Sequence, residues 1–280
     1  MSDERVPVSR IPNEVLERSA ALLNSYSTGL VKLRDRPAGM EEAILIGSGT
    51  FVEFEGVFAI LTAHHVAKEI DLASSVGLVL VEQEHRSEIR SQFLEIIEIA
   101  RGADESKGPD LALIRLPPAK ASEIRAFKQF FKLAQYREGM LERRPDPHQG
   151  VWFLCGIPDA LTKDEASESG FGRVRSYHGL CGATGPRREF TEGRFDFIDL
   201  DVEYPSAAGD VPQDLGGLSG GGVWFVPLRR QESGELHPAD YVLAGVIFYQ
   251  SPIVDGRRFM RCHGPRSVYQ AVCDSLQKCS

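Results

Sequence analysis

The stretch Gly216-Gly217-Leu218-Ser219-Gly220-Gly221-Gly222 has five glycines in seven residues. Glycine loses more conformational freedom on folding than any other residue, so such a run is costly to order. It suits a loop whose backbone takes positive φ, or one that another backbone approaches closely. In such a loop the Ser219 hydroxyl would be a nucleophile, and the Gly217 and Ser219 amides would stabilise an oxyanion. A flexible turn before the apolar strand 223–226 explains the glycines equally well, and the stretch alone does not separate the two.

Length and composition are those of an ordinary globular protein. The chain has 280 residues, of which 42% are hydrophobic and 26% are charged, enough for one large domain or two small ones. Its net charge of −8 argues against a general nucleic-acid-binding surface. No apolar run approaches the roughly 18 residues of a membrane helix. The first residues also lack the apolar region of a signal peptide.

Cysteine usage points to a reducing compartment. The five cysteines are Cys155, Cys181, Cys262, Cys273 and Cys279. Their number is odd, and no pair has the close spacing of a metal or redox motif. Cys155 and Cys262 lie in or beside apolar stretches, which is typical of buried thiols. We therefore expect a cytoplasmic protein with reduced thiols, while a leader removed ahead of Met1 stays open.

Apolar alternation divides the chain into two β-rich halves. Glu55-Gly56 predicts a hairpin turn between two strands of the first half. Apolar residues near helical spacing predict one helix over 119–137. The predicted units are an N-terminal extension with a helix (1–27), a first β-rich half (28–118), a helical connector and linker (119–150), a second β-rich half (151–265) and a C-terminal helix (266–280).

Three reactive side chains stand beside apolar strands in the order imidazole, carboxylate, hydroxyl. His65 follows an apolar strand, Asp110 precedes another, and Ser219 lies in the glycine run. A serine hydroxyl is a poor nucleophile at neutral pH, and a histidine with a pKa of about 6.5 can take its proton and later return it. A buried carboxylate fixes the histidine tautomer and stabilises the imidazolium. The three groups together favour the nucleophile interpretation of Ser219.

These contexts resemble the motifs of the trypsin-like (chymotrypsin-fold) serine peptidases. Thr62-Ala63-His64-His65-Val66 resembles the family's Thr-Ala-Ala-His, Asp110-Leu111-Ala112-Leu113-Ile114 its Asp-Ile-Ala-Leu-Leu, and Gly217-Leu218-Ser219-Gly220-Gly221 its Gly-Asp-Ser-Gly-Gly. Gly47-Ser48-Gly49-Thr50-Phe51 is similar to the Gly-Ser-Gly strand of bacterial members, and Leu243-Ala244-Gly245-Val246-Ile247 to the strand after the nucleophile loop. Each motif alone is weak, but the ordered set is a strong signal.

The resemblance implies an all-β fold of two six-stranded antiparallel β-barrels, with the site in the cleft between them. The barrels would be residues 28–118 and 151–265. It also implies a serine endopeptidase that acts on a protein or peptide substrate and needs no cofactor.

The resemblance also assigns roles to individual residues. His65 takes the position of the base, Asp110 that of the orienting carboxylate, and Ser219 that of the nucleophile. The Gly217 and Ser219 amides take the positions of the oxyanion hole. His64 stands where the family has alanine, so we expect it to be a neighbour without a catalytic role.

One departure from the family pattern concerns the nucleophile loop. Leu218 stands where many secreted members have an aspartate that pairs with a freed N-terminus. Leucine forms no ion pair, so activation by chain cleavage is not expected. The cysteines also do not match the disulfide pattern of secreted members. How the oxyanion loop is ordered stays open.

The residues expected to bind substrate also differ from the common pattern. Gln213 would lie near the base of the primary pocket and is uncharged, so no strong preference for Arg or Lys is expected, although Asp210 or Asp214 would supply charge. Phe248, Tyr249 and Gln250 would lie along the peptide-binding strand and pocket wall. Because Gln250 replaces a small glycine, we expect a narrowed pocket or a rearranged loop there.

A second class of function stays open, namely a catalytically silent pseudo-protease that binds a peptide or protein. Between the two lies an enzyme whose oxyanion loop is ordered by a regulatory protein partner. No nucleic-acid or membrane partner is expected, and no metal, because His64-His65 lacks the spacing of zinc ligands. The acidic residues of stretch 196–203 alternate with apolar ones and favour a solvated strand face over a calcium site.

Overall fold

The computed structural model of the chain describes residues 11–36, 40–80, 87–104, 106–143, 146–147, 149–166, 173–176, 179–203, 212–232 and 234–278. The α-helices are α1 (Asn13–Asn24), α2 (His64–Asp71), α3 (Pro118–Ile124), α4 (Leu133–Glu142) and α5 (Cys273–Gln277). The strands of the first half and connector are β1 (Ser27–Arg36), β2 (Met40–Phe54), β3 (Val57–Thr62), β4 (Ser75–Val79), β5 (Ser87–Arg90), β6 (Glu95–Arg101), β7 (Asp110–Arg115) and β8 (Phe131–Lys132). Those of the second half are β9 (Gly150–Gly156), β10 (Lys163–Ala166), β11 (Arg173–Ser176), β12 (Leu180–Glu192), β13 (Phe195–Glu203), β14 (Gly222–Arg230), β15 (Leu236–Pro238), β16 (Val242–Gln250) and β17 (Arg257–His263).

The first half forms one sheet in the order β5-β4-β1-β2-β3-β7-β6. These neighbours pair antiparallel, and β8 adds to β2 in parallel. The β2–β3 turn has positive φ at both Glu55 (50°) and Gly56 (85°). Two central residues of positive φ match the right-handed twist of a hairpin, so the predicted hairpin is confirmed.

The second half forms a sheet in the order β15-β14-β16-β17-β13-β12-β9. Strand β14 also pairs with β9, so β9 has a hydrogen-bonded neighbour on each side. Strands β10 and β11 form a separate two-stranded sheet. The mostly-β chain with two antiparallel sheets is therefore as predicted.

An apolar core joins the two halves. One cluster of buried side chains runs from α1 through the first sheet to β9, β14 and the C-terminal helix. At its centre the fully buried Trp224 of β14 lies 5.1 Å, between ring centroids, from both Tyr26 and Phe131. A second cluster lies within the second sheet. Shared burial of large aromatic rings strongly stabilises the contact between the halves.

The connector differs from the predicted single helix over 119–137. The chain forms α3, then the short strand β8, then α4. Phe131 and Leu133 are buried while Lys132 between them is exposed, and this is the alternation of a strand. Burial of Phe131 beside β2 outweighs the helical spacing of the surrounding residues.

The C-terminal helix is confirmed, although its first part, Ser267–Val272, is π-helical.

The solvated acidic face predicted for stretch 196–203 is wrong at two positions. Asp196 and Asp199 are buried because each has specific partners. Asp196 accepts hydrogen bonds from the Arg266 and Ser267 amides, and Asp199 pairs with Arg261. No helix among the described residues is both long and apolar enough to cross a membrane.

Substitution of Gly245 tests how closely β16 and β17 approach each other in the second sheet. A β-carbon there would lie 2.1 Å from the His263 carbonyl oxygen. We expect Gly245→Ala to lower the free energy of unfolding by about 1–3 kcal/mol or more, because the backbone must shift to admit the methyl group. Gly185 of β12 has nothing within 4 Å of the same position. Gly185→Ala should therefore change stability by less than about 0.5 kcal/mol, as measured by urea denaturation. Equal effects of the two substitutions would contradict the packing.

Candidate active site

The predicted base and carboxylate meet where two neighbouring strands reach the same end of the first sheet. Strands β3 and β7 are antiparallel, with Thr62 opposite Ala112. His65 lies in the first turn of α2 just after β3, and Asp110 is the first residue of β7. Asp110 Oδ2 lies 2.5 Å from His65 Nδ1, and Asp110 Oδ1 accepts a hydrogen bond from the His65 amide at 3.0 Å. The carboxylate thus assigns the ring proton to Nδ1 and leaves Nε2 with its lone pair.

Asp110 is ionised in this setting. The carboxyl group is buried, and burial by itself raises its pKa, but the hydrogen bonds and charge of His65 outweigh that effect. The pKa of Asp110 is therefore lower than its usual value. The His65 side chain is 35% exposed, so its ring reaches solvent beyond the buried carboxylate. Such a pair holds an imidazole in one orientation and stabilises its protonated form.

A second, buried histidine supports Asp110 from the other sheet. His263, the last residue of β17, is fully buried, and its Nε2 accepts a hydrogen bond of 2.9 Å from the Asp110 amide. Phe195, Phe197 and Phe248 surround the ring, with centroids 5.0–5.8 Å away. Burial lowers the pKa of His263 to about 4, and nearby carboxylates offset this only in part. Neutral His263 therefore ties β7 of the first sheet to β17 of the second.

The glycine run is a packed loop. Gly217 and Gly220 have φ of 90° and 87°, a region that favours glycine. A β-carbon on Gly220 would lie 2.0 Å from Thr62 Oγ1 and 2.1 Å from the Ser48 carbonyl oxygen. The loop therefore lies directly against the first sheet. It contacts Thr62, which precedes His65 by three residues. This close packing favours an ordered loop over the flexible turn that the sequence left open.

The Ser219 backbone lies against β2, close to the start of the helix that carries His65. Its carbonyl accepts a hydrogen bond of 2.7 Å from the Ser48 amide. A β-carbon on Gly47 would lie 2.9 Å from that carbonyl oxygen and 2.5 Å from Val66, the residue after His65. A single glycine thus separates the Ser219 backbone from Val66.

The carbonyls around Ser219 determine how its amides point. The Gly216 carbonyl accepts from the Asp159 amide at 2.7 Å, and the Leu218 carbonyl accepts from the Gly221 amide at 2.8 Å. In a trans peptide the C=O and the following N–H point in opposite directions. The Gly217 N–H is therefore directed away from Asp159, and the Ser219 N–H away from Gly221. Neither amide donates to an acceptor within the described part of the chain.

Leu218 anchors the loop by burial. Its side chain is fully buried in the cluster of the second sheet, together with Leu215 and Ile247. Burying a leucine fully is worth about 1.5–3 kcal/mol. The residue before Ser219 is thus held in place by apolar contact.

The predicted pocket residues lie in different settings. Gln213 is exposed. The Phe248 side chain is buried against Phe197 and His263, so only its backbone is left to contact a substrate, while Tyr249 is half-buried. Asp210 lies outside the described residues.

Gln250 links two walls of the predicted pocket. Its side-chain oxygen accepts from the Leu215 amide and from Arg258 Nη1, and its Nε2 donates to Asp214 at 2.9 Å. The hydrogen bond from Gln250, followed by that from the Gly216 amide, lowers the pKa of Asp214. A negative Asp214 is therefore already engaged by the protein. The narrowed pocket or rearranged loop expected at Gln250 stays a prediction.

Two residues beside the site have no role in the sequence interpretation. Ser48 lies in a quoted motif, but nothing local indicates that its side chain reaches Gly217. His263 lies in a strand with apolar neighbours, and such a histidine alone signals only a buried side chain. Among the described residues, no group of three or more His, Cys, Asp or Glu side chains is arranged to hold a metal ion.

Comparisons with known proteins do not assign a family. No family model and no curated protein matches the chain. One similar solved structure is described as "Aromatic interactions drive the coupled folding and binding of the intrinsically disordered Sesbania mosaic virus VPg protein". It is 16% identical, with a TM-score of 0.42, and the match covers 89% of this chain and 97% of that one. A likeness of this degree carries no argument about fold or function.

His263 makes folding sensitive to mild acid. Its pKa of about 4 in the folded protein lies below the ordinary value of 6.5, so the unfolded chain takes up this proton first. Stability therefore falls as the pH drops from 6.5, and below pH 4 the loss from this group reaches about 3 kcal/mol. We expect His263→Gln, which keeps an acceptor but cannot be protonated, to flatten the pH dependence by that amount. Urea denaturation from pH 7 to pH 4 measures it, and identical slopes for both proteins would contradict a buried neutral histidine.

Proposed function

We propose that the protein is a serine endopeptidase of the trypsin-like class. The observation that carries the proposal is the contact between His65 Nδ1 and Asp110, with the Ser219 loop docked one glycine away from Val66. The carboxylate leaves His65 Nε2 as a base, and Ser219 supplies the hydroxyl. The two sheets contribute the parts separately, and a peptide substrate would bind between them.

The reaction would be acyl transfer through a covalent intermediate. The Ser219 hydroxyl attacks the peptide carbonyl while His65 Nε2 takes its proton. Asp110 stabilises the resulting imidazolium, and the Gly217 and Ser219 amides donate hydrogen bonds to the oxyanion. His65 then protonates the leaving amine, and water hydrolyses the acyl-enzyme by the same steps. Neither a metal nor a cofactor takes part in this scheme.

The finer architecture belongs to the same proposal. Two six-stranded barrels would place Asp110 and His65 on one barrel and Ser219 on the other. In the second sheet, the pairing of β9 with both β12 and β14 supports closure of the six strands β9, β12, β13, β17, β16 and β14. The described thiols of Cys262 and Cys273 are buried and belong to no disulfide, which supports a reducing, cytoplasmic setting.

The free amides of Gly217 and Ser219 favour an enzyme over a silent binding module. In a collapsed loop we would expect a carbonyl where the Gly217 N–H should point. Here the Gly216 carbonyl is engaged by Asp159 on the opposite side of that peptide. A regulatory partner would then act on access to the site more than on the loop itself.

Labelling by a fluorophosphonate probe tests the proposal directly, because such probes react with an activated serine. We expect the wild type to be labelled, Ser219→Ala not at all, and Asp110→Asn roughly 10⁴-fold more slowly, because the imidazole would adopt the wrong tautomer. Ser122→Ala is the matched control, since the Ser122 hydroxyl is exposed in α3 and bonds only its own helix. A folded wild type without labelling would overturn the proposal and favour the pseudo-protease.

Gln250 tests the shape of the pocket. Removing its side chain in Gln250→Gly opens the link between Asp214 and Arg258. We expect kcat/KM for substrates with a large residue before the cleaved bond to rise about tenfold relative to a small residue, a change of about 1.4 kcal/mol. Taking the ratio of two substrates removes any general loss of activity. An unchanged ratio in a peptide-library digest would show that Gln250 does not limit the pocket.

A further inference from the structure

We propose that Ser48 is the positioning residue that holds the oxyanion loop in its working conformation. The inference rests on the proposed function and extends it, because it states how the loop is ordered when residue 218 is leucine. Ser48 lies in β2 of the first sheet, 169 residues from Gly217. It touches neither the substrate nor the reacting atoms in this scheme, and it acts through the backbone of the loop.

Every polar group of Ser48 has a partner at this junction. Its hydroxyl donates to the Gly217 carbonyl at 2.6 Å and accepts from the Ile157 amide at 2.8 Å. Its amide donates to the Ser219 carbonyl at 2.7 Å, and its carbonyl accepts from Thr62 Oγ1 at 2.7 Å. The direction of the hydroxyl bonds is certain from chemistry, because a carbonyl only accepts and an amide only donates. One residue therefore holds the carbonyls on both sides of Leu218.

Two hydrogen bonds determine the orientation of the peptide planes on either side of Gly217. The Gly216 carbonyl is held by Asp159 and the Gly217 carbonyl by Ser48. With both flanking peptide planes fixed, Gly217 stays at its φ of 90°. Glycine is free to adopt other conformations at little cost, so it keeps this one only while its neighbours hold it. Loss of the Ser48 hydroxyl would release the peptide between Gly217 and Leu218 and let the loop relax.

The surroundings accept only a small side chain at position 48. A β-carbon on Gly156 would lie 2.8 Å from Ser48 Oγ and 3.1 Å from the Ser48 β-carbon. Ser48 is fully buried, so its hydroxyl cannot exchange its partners for water. A buried polar group that loses its partner costs about 1–3 kcal/mol, and removing this hydroxyl strands two groups, the Gly217 carbonyl and the Ile157 amide.

The consequence is a loop that needs no chain cleavage to form. The Ser48 hydrogen bonds attach it to the first sheet, and the buried Leu218 attaches it to the second. Both attachments exist in the intact chain. The fold itself thus supplies the order that a freed N-terminus supplies in members of the related family that carry aspartate.

Ser48→Ala tests this role, with Thr28→Val as its matched control. Thr28 is also fully buried in the first sheet, and its hydroxyl donates to the Val79 carbonyl at 3.0 Å, but no hydrogen bond joins it to the glycine run. Urea denaturation should show comparable losses of stability for the two variants. We expect the fluorophosphonate labelling rate and kcat to fall about 10²–10³-fold in Ser48→Ala, with KM nearly unchanged, because the loss falls on the oxyanion. Thr28→Val should label within about threefold of the wild type.

The outcomes separate this inference from the proposed function. Ser48→Ala labelling as fast as Thr28→Val would overturn the inference and leave Ser48 a purely structural residue. If the wild type is not labelled, the proposed function fails, and amide NMR of protein labelled with ¹⁵N at glycine and serine then decides the inference. Displaced Gly217 and Ser219 amide signals in Ser48→Ala, but not in Thr28→Val, would support it, and unmoved signals would overturn it. Should Ser48→Ala not fold, Ser48→Cys replaces it, since a thiol keeps a weak donor and should give an intermediate labelling rate.

Discussion

The site depends on one close approach between backbones, where the glycine run of the second sheet rests on β2 of the first. The Ser48 carbonyl would lie 2.1 Å from any β-carbon on Gly220, and Gly47 is equally confined by Val66 and Ser219. Even a methyl group on either glycine would push the two sheets apart at this point. Ser48 also donates hydrogen bonds from β2 to the Gly217 and Ser219 carbonyls of the glycine run. The short distance between β2 and the glycine run therefore determines where Ser219 lies relative to His65. Gly47 and Gly220 are therefore required for the glycine run to pack against β2.

Two histidines contact Asp110, and they lie in different environments. Asp110 contacts the His65 ring with its carboxylate and the His263 ring with its amide. His263 is neutral because it is fully buried, whereas His65 reaches solvent and can gain a proton. The Asp110 carboxylate thus stabilises the protonated form of His65, while His263 positions Asp110 through its backbone amide. Of these two histidines, only His65 is exposed to solvent.

Much of this was predictable from local patterns. The β2–β3 hairpin follows from Glu55-Gly56, and α1 is the helix predicted in the N-terminal extension. The neighbouring positions of His65 and Asp110 were predicted from the resemblance of their sequence contexts to the motifs of trypsin-like peptidases. Other predictions failed because a distant partner changes the environment. Phe131 leaves a helical pattern to pack beside β2, and Asp199 is buried because Arg261 faces it from β17.

The sequence by itself determined the mostly-β class, the two halves, and the order of imidazole, carboxylate and hydroxyl, since these depend on local spacing and residue chemistry. Tertiary structure alone decided that the glycine run is ordered and that the Phe248 side chain faces the core. It also decided that Ser48 bonds the glycine run at Gly217 and that His263 bonds Asp110 at the start of β7. The reason is physical. The hydrogen bond between Ser48 and Gly217 joins residues 169 positions apart, and the one between Asp110 and His263 joins residues 153 apart. No local pattern encodes such pairs, because they exist only after the sheets have packed.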